Sequence, residues 1–160
     1  MRFIPYFIYL LLIGMHQVIW KDLTSIYGIT INLTALLVLM VALYKTEVIS
    51  IWFGFAAGLV LASGAPKFMG WHALILAFIG LTGFSIRERL NLESLYTRLL
   101  FVFVGILLHN IILMVIQADE YFYQLWFNAV FGAVYTVFIA WLFFLVKDGI
   151  ITFKKIKSFF

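Results

Sequence analysis

The sequence contains no cysteine and few charged residues. The absence of cysteine from all 160 positions excludes disulfide bonds and thiolate metal sites. Charged residues make up 11% of the chain, whereas a soluble domain carries about a quarter. A water-facing surface cannot be built from so few charges, so the missing polar surface must be lipid-facing. With 66% hydrophobic residues, the composition predicts an integral membrane protein.

Acidic side chains are missing from the interior of every apolar run. All 7 Asp and Glu residues fall in loops or at the ends of these runs. A carrier coupled to protons or sodium ions therefore lacks the buried carboxylate that its relay needs. The sequence also has no HExxH motif, no glycine-rich phosphate loop and no nucleophile elbow. We predict that the chain is not an enzyme, and we expect no catalytic residue, metal, cofactor or nucleic acid partner.

Six apolar runs account for most of the chain. Each is close to the roughly 20 residues that a helix needs to cross a bilayer, and none alternates as a barrel strand does. Only Lys45, Thr46 and Glu47 separate the second run from the third. One continuous helix would be about 60 Å long with two charges at its centre, so we predict a tight hairpin there. The predicted spans are 3–20, 26–44, 48–65, 69–86, 99–116 and 126–146, followed by a basic tail at 147–160.

Basic residues are distributed unevenly between the two sides of these spans. Of the 11 Lys and Arg residues, Lys21 and Lys67 fall in outer loops if the N-terminus is cytoplasmic, and the other nine lie on the inner side. Cytoplasmic loops are enriched in basic residues, so we predict that both termini are cytoplasmic. The tail at 147–160 is expected to anchor this topology or to lie on an anionic leaflet.

A few polar residues fall at membrane depth. His109 and Asn110 lie near the middle of the fifth run, where a polar side chain usually faces other helices. They are interpreted either as an interhelical hydrogen bond or as an intramembrane contact with a ligand or partner. His16 and Gln17 lie near the end of the first run and are interpreted as structural.

Small residues are spaced to let helices approach closely. Gly54 and Gly58 form a GxxxG motif in the third run, followed one turn later by Ala62, and Ala73 and Ala77 are four apart in the fourth. Small faces of this kind mediate helix association in lipid. We expect these residues either to pack the bundle internally or to receive a partner helix or a second copy of the chain.

The segment from 31 to 74 carries an ordered pattern. Asn32 opens one helix, the sequence Gly-Phe-Ala-Ala-Gly-Leu begins at Gly54, and Pro66, Gly70 and His72 follow at the start of the next helix. This pattern resembles the MreD family of small polytopic bacterial rod shape-determining proteins. The sequence departs from the family pattern in having Ile31 where a proline is usual and Ala62 where an aspartate is common.

The resemblance implies a non-enzymatic scaffold of the cell-elongation machinery in the bacterial inner membrane. The expected partner is an MreC-like bitopic protein, bound through its transmembrane helix to support peptidoglycan synthesis. A RodA-like glycosyltransferase, a penicillin-binding transpeptidase, the actin-like MreB, membrane lipid and a second copy of the chain are further expected partners. The implied fold is an all-α bundle of six transmembrane helices, similar to the S components of energy-coupling-factor transporters.

The implied similarity of fold to S components leaves a second function open. In this alternative the chain is the substrate-binding S component of an energy-coupling-factor vitamin transporter, with a pocket near the outer surface. On the predicted topology, five aromatic and histidine side chains lie on that side. They are Trp71, His72, Tyr121, Tyr123 and Trp126.

Overall fold

The structure is a computed structural model that describes residues 4–25, 28–64, 66–90, 92–116 and 122–149, with only the backbone at 64, 66 and 122–125. Within these ranges the chain is all-helical, which confirms the predicted class at that level. Short 3₁₀ turns at Ala62–Gly64 and Pro66–Phe68 join the third main helix to the fourth. The main helices are α1 (Ile4–Leu23), α2 (Leu33–Tyr44), α3 (Glu47–Leu61), α4 (Met69–Arg89), α5 (Leu95–Ile116) and α6 (Phe122–Lys147).

Four of these helices are long and apolar enough to cross a membrane: α1, α4, α5 and the Trp126–Lys147 part of α6. The α2 and α3 helices have 12 and 15 residues, so they measure only about 18 and 22 Å. Large apolar side chains lie exposed on the outer faces of the bundle, with Phe7 69%, Trp52 68% and Phe78 53% accessible. Such a surface is stable when lipid covers it.

The α2 helix forms the centre of the bundle, where Val38 and Ala42 have no accessible surface. A helix that is apolar on all sides is typical of a protein core or of a membrane span, and α2 is surrounded by the other helices. The guanidinium of Arg87, on α4, donates to the carbonyls of Ala42, Leu43 and Lys45 at 3.1, 3.3 and 2.8 Å. Carbonyls at a helix end lack intrahelical partners and carry partial negative charge, so this side chain both caps α2 and joins it to α4.

Two of the predicted spans need correction. The second starts at Leu33 rather than at 26, because Asn32 caps the helix and its Oδ1 accepts from the Ala35 N–H at 3.1 Å. Gly28 upstream adopts a φ of 81°, outside the helical region. The third ends at Leu61 rather than at 65, and the chain continues in the 3₁₀ turns.

The other four helices differ from their predicted bounds by a few residues at one or both ends. The predicted tail at 147–160 lies outside the described residues beyond 149.

The α3 and α4 helices approach each other most closely. A Cβ added at Gly54 would overlap the backbone carbonyl of Leu76 and lie 3.1 Å from the Cα of Ala77. A Cβ added at Gly58 would lie 2.5 Å from the carbonyl oxygen of His72 and overlap the backbone of Ala73. These small residues are therefore used for packing within one chain.

An ion pair joins the first turn of α5 to Asp148, the residue that follows the end of α6. The two terminal nitrogens of Arg98 donate to Oδ1 and Oδ2 of Asp148 at 3.0 and 2.5 Å. A bidentate pair of this kind is stronger and more directional than a single contact. The hydrogen bonds from Arg98 lower the pKa of the Asp148 carboxyl below its usual value.

Candidate binding site

A polar cavity of about 400 Å³ lies at the end of the bundle where α1 ends and α2 begins. Its volume falls within the range of small-molecule sites in proteins. All six helices contribute to its walls, which combine apolar and polar side chains. Its polar lining consists of His16, Gln17, Lys21, Thr30, Asn32, Thr34, His72, His109, Asn110 and Asn128.

The contribution of α1 to the cavity depends on a π-helical segment, His16–Trp20. In this segment the N–H of Lys21 donates to the carbonyl of His16, five residues earlier. A π-bulge inserts one extra residue into the helix and is frequent at functional sites. His16 is buried here, and the Nε2 of Gln17 donates to the carbonyl of Leu61 at 3.2 Å. The segment thus places two polar residues of α1 in the cavity and ties α1 to the end of α3.

Asn32 organises the polar network of the cavity. Its Oδ1 accepts from the backbone N–H of Ala35, so its Nδ2 must face the other way. That Nδ2 lies 2.7 Å from Oδ1 of Asn110 and 2.8 Å from Nδ1 of His109, both on α5. The cap of α2 is therefore also a polar link between α2 and α5.

A second set of hydrogen bonds connects this network to α6. The Nδ2 of Asn110 donates to the carbonyl of Ala129 at 3.0 Å. The backbone N–H of Asn32 donates to Oγ1 of Thr136 at 2.9 Å, and the hydroxyl of Thr136 donates to the carbonyl of Gly132 at 2.6 Å. Three helices are thus held together at one depth, which defines the shape of the cavity.

Three imidazole nitrogens in the lining have no hydrogen-bond partner among the described residues. They are Nε2 of His16, Nδ1 of His72 and Nε2 of His109, and the three residues are 6%, 8% and 1% exposed. Buried polar groups are normally paired, because each unpaired group costs about 1–3 kcal/mol. In the described part of the chain, no group of three or more His, Cys, Asp or Glu is placed to hold a metal ion.

The structure brings several predicted residues into this cavity and leaves others outside. His109 and Asn110 form interhelical hydrogen bonds and also line the cavity. Asn32 and His72, from the family pattern, and Ala62, from the small-residue set, line it too. Of the remaining pattern residues, Pro66 begins the 3₁₀ turn that precedes α4, and Gly70 is the second residue of α4.

Of the five side chains expected to line an outer pocket, only His72 does so among those that the structure describes. Trp71 and Trp126 are 54% and 44% exposed and lie on the outer surface of the bundle. Tyr121 lies outside the described residues, and so does the side chain of Tyr123.

The sequence interpretation missed the contribution of α1 and of the segment before α2. From the sequence alone, His16 and Gln17 are interpreted as structural and Lys21 only as a basic residue of an outer loop, and nothing distinguishes Thr30 or Asn128. The one available signal was the concentration of polar residues at 16, 17 and 21, at the end of an otherwise apolar run.

Neither models of known protein families, nor curated proteins, nor solved structures give a match to this chain.

Proposed function

We propose that this chain is a non-enzymatic scaffold of the MreD type in the bacterial inner membrane. It binds the transmembrane helix of an MreC-like protein and supports peptidoglycan synthesis during cell elongation. One observation carries the proposal: pattern residues that are far apart in sequence meet in space. Asn32 and His72 line one cavity, and Gly58 fits against the backbone of His72 itself.

The proposal includes six spans with both termini in the cytoplasm, in which α2 and α3 contribute helices of only about 18 and 22 Å. Two contacts support the orientation, because each joins residues that the basic-residue distribution assigns to the inner side. Arg87 reaches the carbonyl of Lys45, and Arg98 pairs with Asp148. Lys21, assigned to the outer side, lies at the opposite end of α1 from the N-terminus.

The absence of native cysteine makes this topology testable. Single cysteines at Glu47 and Lys67 are labelled with a membrane-impermeant maleimide in intact cells. We expect labelling at 67 and none at 47 until the membrane is permeabilised. The reverse pattern would contradict the orientation, and labelling of both in intact cells would contradict the spanning hairpin.

The partner helix needs a docking surface that the chain does not itself fill. The faces of Gly54 and Gly58 are occupied by α4, so we place the partner in an apolar cleft of about 430 Å³ between α4 and α5. Gly83 and Gly105 line this cleft, and Cβ atoms added to them would lie 3.5 and 2.7 Å from the side chain of Leu39, so these glycines make room for Leu39, which lines the cleft between them. From Thr97 to Leu108 the cleft extends about 17 Å along α5, roughly half of a membrane span.

Two valines on α5 provide a matched test of this surface. Val104 lines the cleft and is 52% exposed, whereas Val115 lies outside it and is 67% exposed. Tryptophan at 104 fills the cleft, while tryptophan at 115 extends into lipid. In pull-downs from native membranes with mass spectrometry, we expect V104W to lose a coiled-coil bitopic protein that the wild type and V115W retain. Equal recovery from both variants would contradict the cleft as the docking surface.

The scaffold role itself is tested by the wild-type pull-down and by depletion. Recovery of a bitopic coiled-coil protein with cell-wall synthases, and a change of cell width on depletion, are the expected results. A chain that captures no such partner and leaves cell width unchanged would contradict the role.

A second candidate function is favoured by the polar cavity. A substrate-binding subunit of an energy-coupling-factor transporter also requires a pocket of ligand size on the outer side. Recovery of paired ATPases and a coupling membrane subunit in the same pull-down would support this alternative. A thermal-shift screen against water-soluble vitamins would be decisive, because a tightly bound ligand raises the melting temperature.

A further inference from the structure

The hydrogen-bond network determines the tautomer of His109. The amide of Asn32 is oriented by the Ala35 N–H, and that of Asn110 by the carbonyl of Ala129. The Nδ2 of Asn32 is therefore a donor, and at 2.8 Å from Nδ1 of His109 it requires that nitrogen to accept. The contact of Nδ1 with Oδ1 of Asn110 is longer, at 3.3 Å, and that oxygen already accepts from Asn32.

It follows that the proton of the His109 ring is on Nε2. This N–H is buried and has no partner among the described residues, and His109 is one of the residues that line the cavity. A buried N–H donor requires an acceptor, so the group that satisfies it must present an oxygen or a similar atom.

The start of α2 also favours a ligand that accepts hydrogen bonds. Leu33 and Thr34, its first two residues, line the cavity. The first N–H groups of a helix have no intrahelical partner, and the helix dipole places partial positive charge there. Helix starts of this kind bind anions.

Lys21 adds a full positive charge to the partial charge at the start of α2. Lys21 lines the cavity and is exposed, as is Asn128, so the cavity reaches the molecular surface near these residues. No carboxylate is present in the described lining; Asp22, next to Lys21 in the chain, does not line the cavity. Donors and one cation thus converge on a space without a fixed negative charge.

We propose that this cavity is a binding site for an oxyanion, a phosphate or carboxylate group, which accepts from Nε2 of His109 and the start of α2 and is attracted by Lys21. The inference goes beyond the scaffold role and holds whether or not that role is correct. The oxyanion belongs either to the headgroup of an anionic lipid or to a small water-soluble molecule.

Binding to the purified, delipidated full chain distinguishes these sources. Native mass spectrometry measures binding of phosphatidylglycerol, with phosphatidylcholine as the comparison, and thermal shift measures binding of glycerol 3-phosphate and succinate. Preference for phosphatidylglycerol indicates a lipid, and stabilisation by either soluble anion indicates a free ligand. No binding of any probe, or equal binding of the two lipids with no soluble anion bound, means a solvent-filled cavity and overturns the proposal.

Two lysines of the outer side provide the matched variants. Lys21→Ala removes the cation that lines the cavity, and Lys67→Ala removes one that does not. We expect K21A to weaken binding by about tenfold or more and K67A to leave it unchanged. An equal affinity of the two variants overturns the site.

A spectroscopic measurement tests the donor itself. In protein carrying ¹⁵N-labelled histidine, the Nε2–H resonance of His109 should move when the bound probe reaches saturation. An unchanged resonance at saturation would contradict the proposed contact.

Discussion

Replacing Asn32 with alanine should destabilise the bundle more than replacing any other polar residue of the cavity. The side chain makes three contacts at once: it caps α2, donates to Asn110 and donates to His109. Alanine removes all three and leaves two buried acceptors with fewer donors.

The magnitude follows from these contacts. Loss of an asparagine cap costs about 1 kcal/mol, and an interhelical hydrogen bond in a membrane protein averages about 0.6 kcal/mol. One cap and two such bonds give about 2 kcal/mol for Asn32→Ala. Asn32→Asp keeps the capping oxygen but loses the donor, so it should cost about 1 kcal/mol or more, because a carboxylate then faces Oδ1 of Asn110.

The assay is reversible unfolding in mixtures of mild detergent and dodecyl sulfate, followed by the fluorescence of the 5 tryptophans. Asn128→Ala is the matched control: Asn128 lines the same cavity but is exposed, and its substitution should cost less than about 0.5 kcal/mol. If N32A is no more destabilising than N128A, the assigned network does not hold α2 to α5.

Three further results are expected. Gly54→Ala should destabilise the protein by about 1–3 kcal/mol in the same assay, because its added Cβ meets the backbone of α4. Gly70→Ala should be neutral, since nothing lies within 4 Å of its added Cβ. Equal effects of the two substitutions would contradict the close approach of α3 and α4. The Arg98 pair lowers the pKa of Asp148, so its contribution to stability is complete above the unfolded carboxyl pKa of about 3.9 and is lost as pH falls through the lower folded pKa. Wild type should therefore lose its advantage over Asp148→Asn in acid, and a constant difference from pH 6 to pH 3 would refute this. In ¹⁵N spectra at neutral pH, Nδ1 of His109 should show the unprotonated shift, and a protonated Nδ1 would contradict the network.

Much of the fold could be predicted because hydrophobic length dominates the sequence of a membrane protein. The apolar runs predicted the helices, and the charges at Lys45 and Glu47 predicted the turn between the second and third. The apolar run predicted a start at 26 because Asn32 lies inside it, where hydropathy outweighs the signal of a capping residue; the family pattern, which has Asn32 opening a helix, was correct at this point.

The site was less predictable, because it depends on contacts between distant segments. His109 and Asn110 were identifiable as polar residues at membrane depth, but nothing in their spacing indicates that Asn32, 77 and 78 residues away, lies against them. His16 enters the cavity through a π-helical segment, which no periodicity of the sequence predicts.

The small-residue motif illustrates a further limit. The spacing of Gly54 and Gly58 predicts a close helix contact, but it does not say which helix makes it. In the structure that helix is α4 of the same chain.

Site-specific crosslinking in native membranes tests the scaffold proposal most directly. The chain has no cysteine, so single cysteines at Val104 and Val115 can each carry a photoactivated crosslinker. We expect the probe at 104 to capture a single-span protein with an extracytoplasmic coiled coil and the probe at 115 not to capture it. Equal capture at both positions, or lipid adducts alone at 104, would contradict a partner helix in the cleft between α4 and α5.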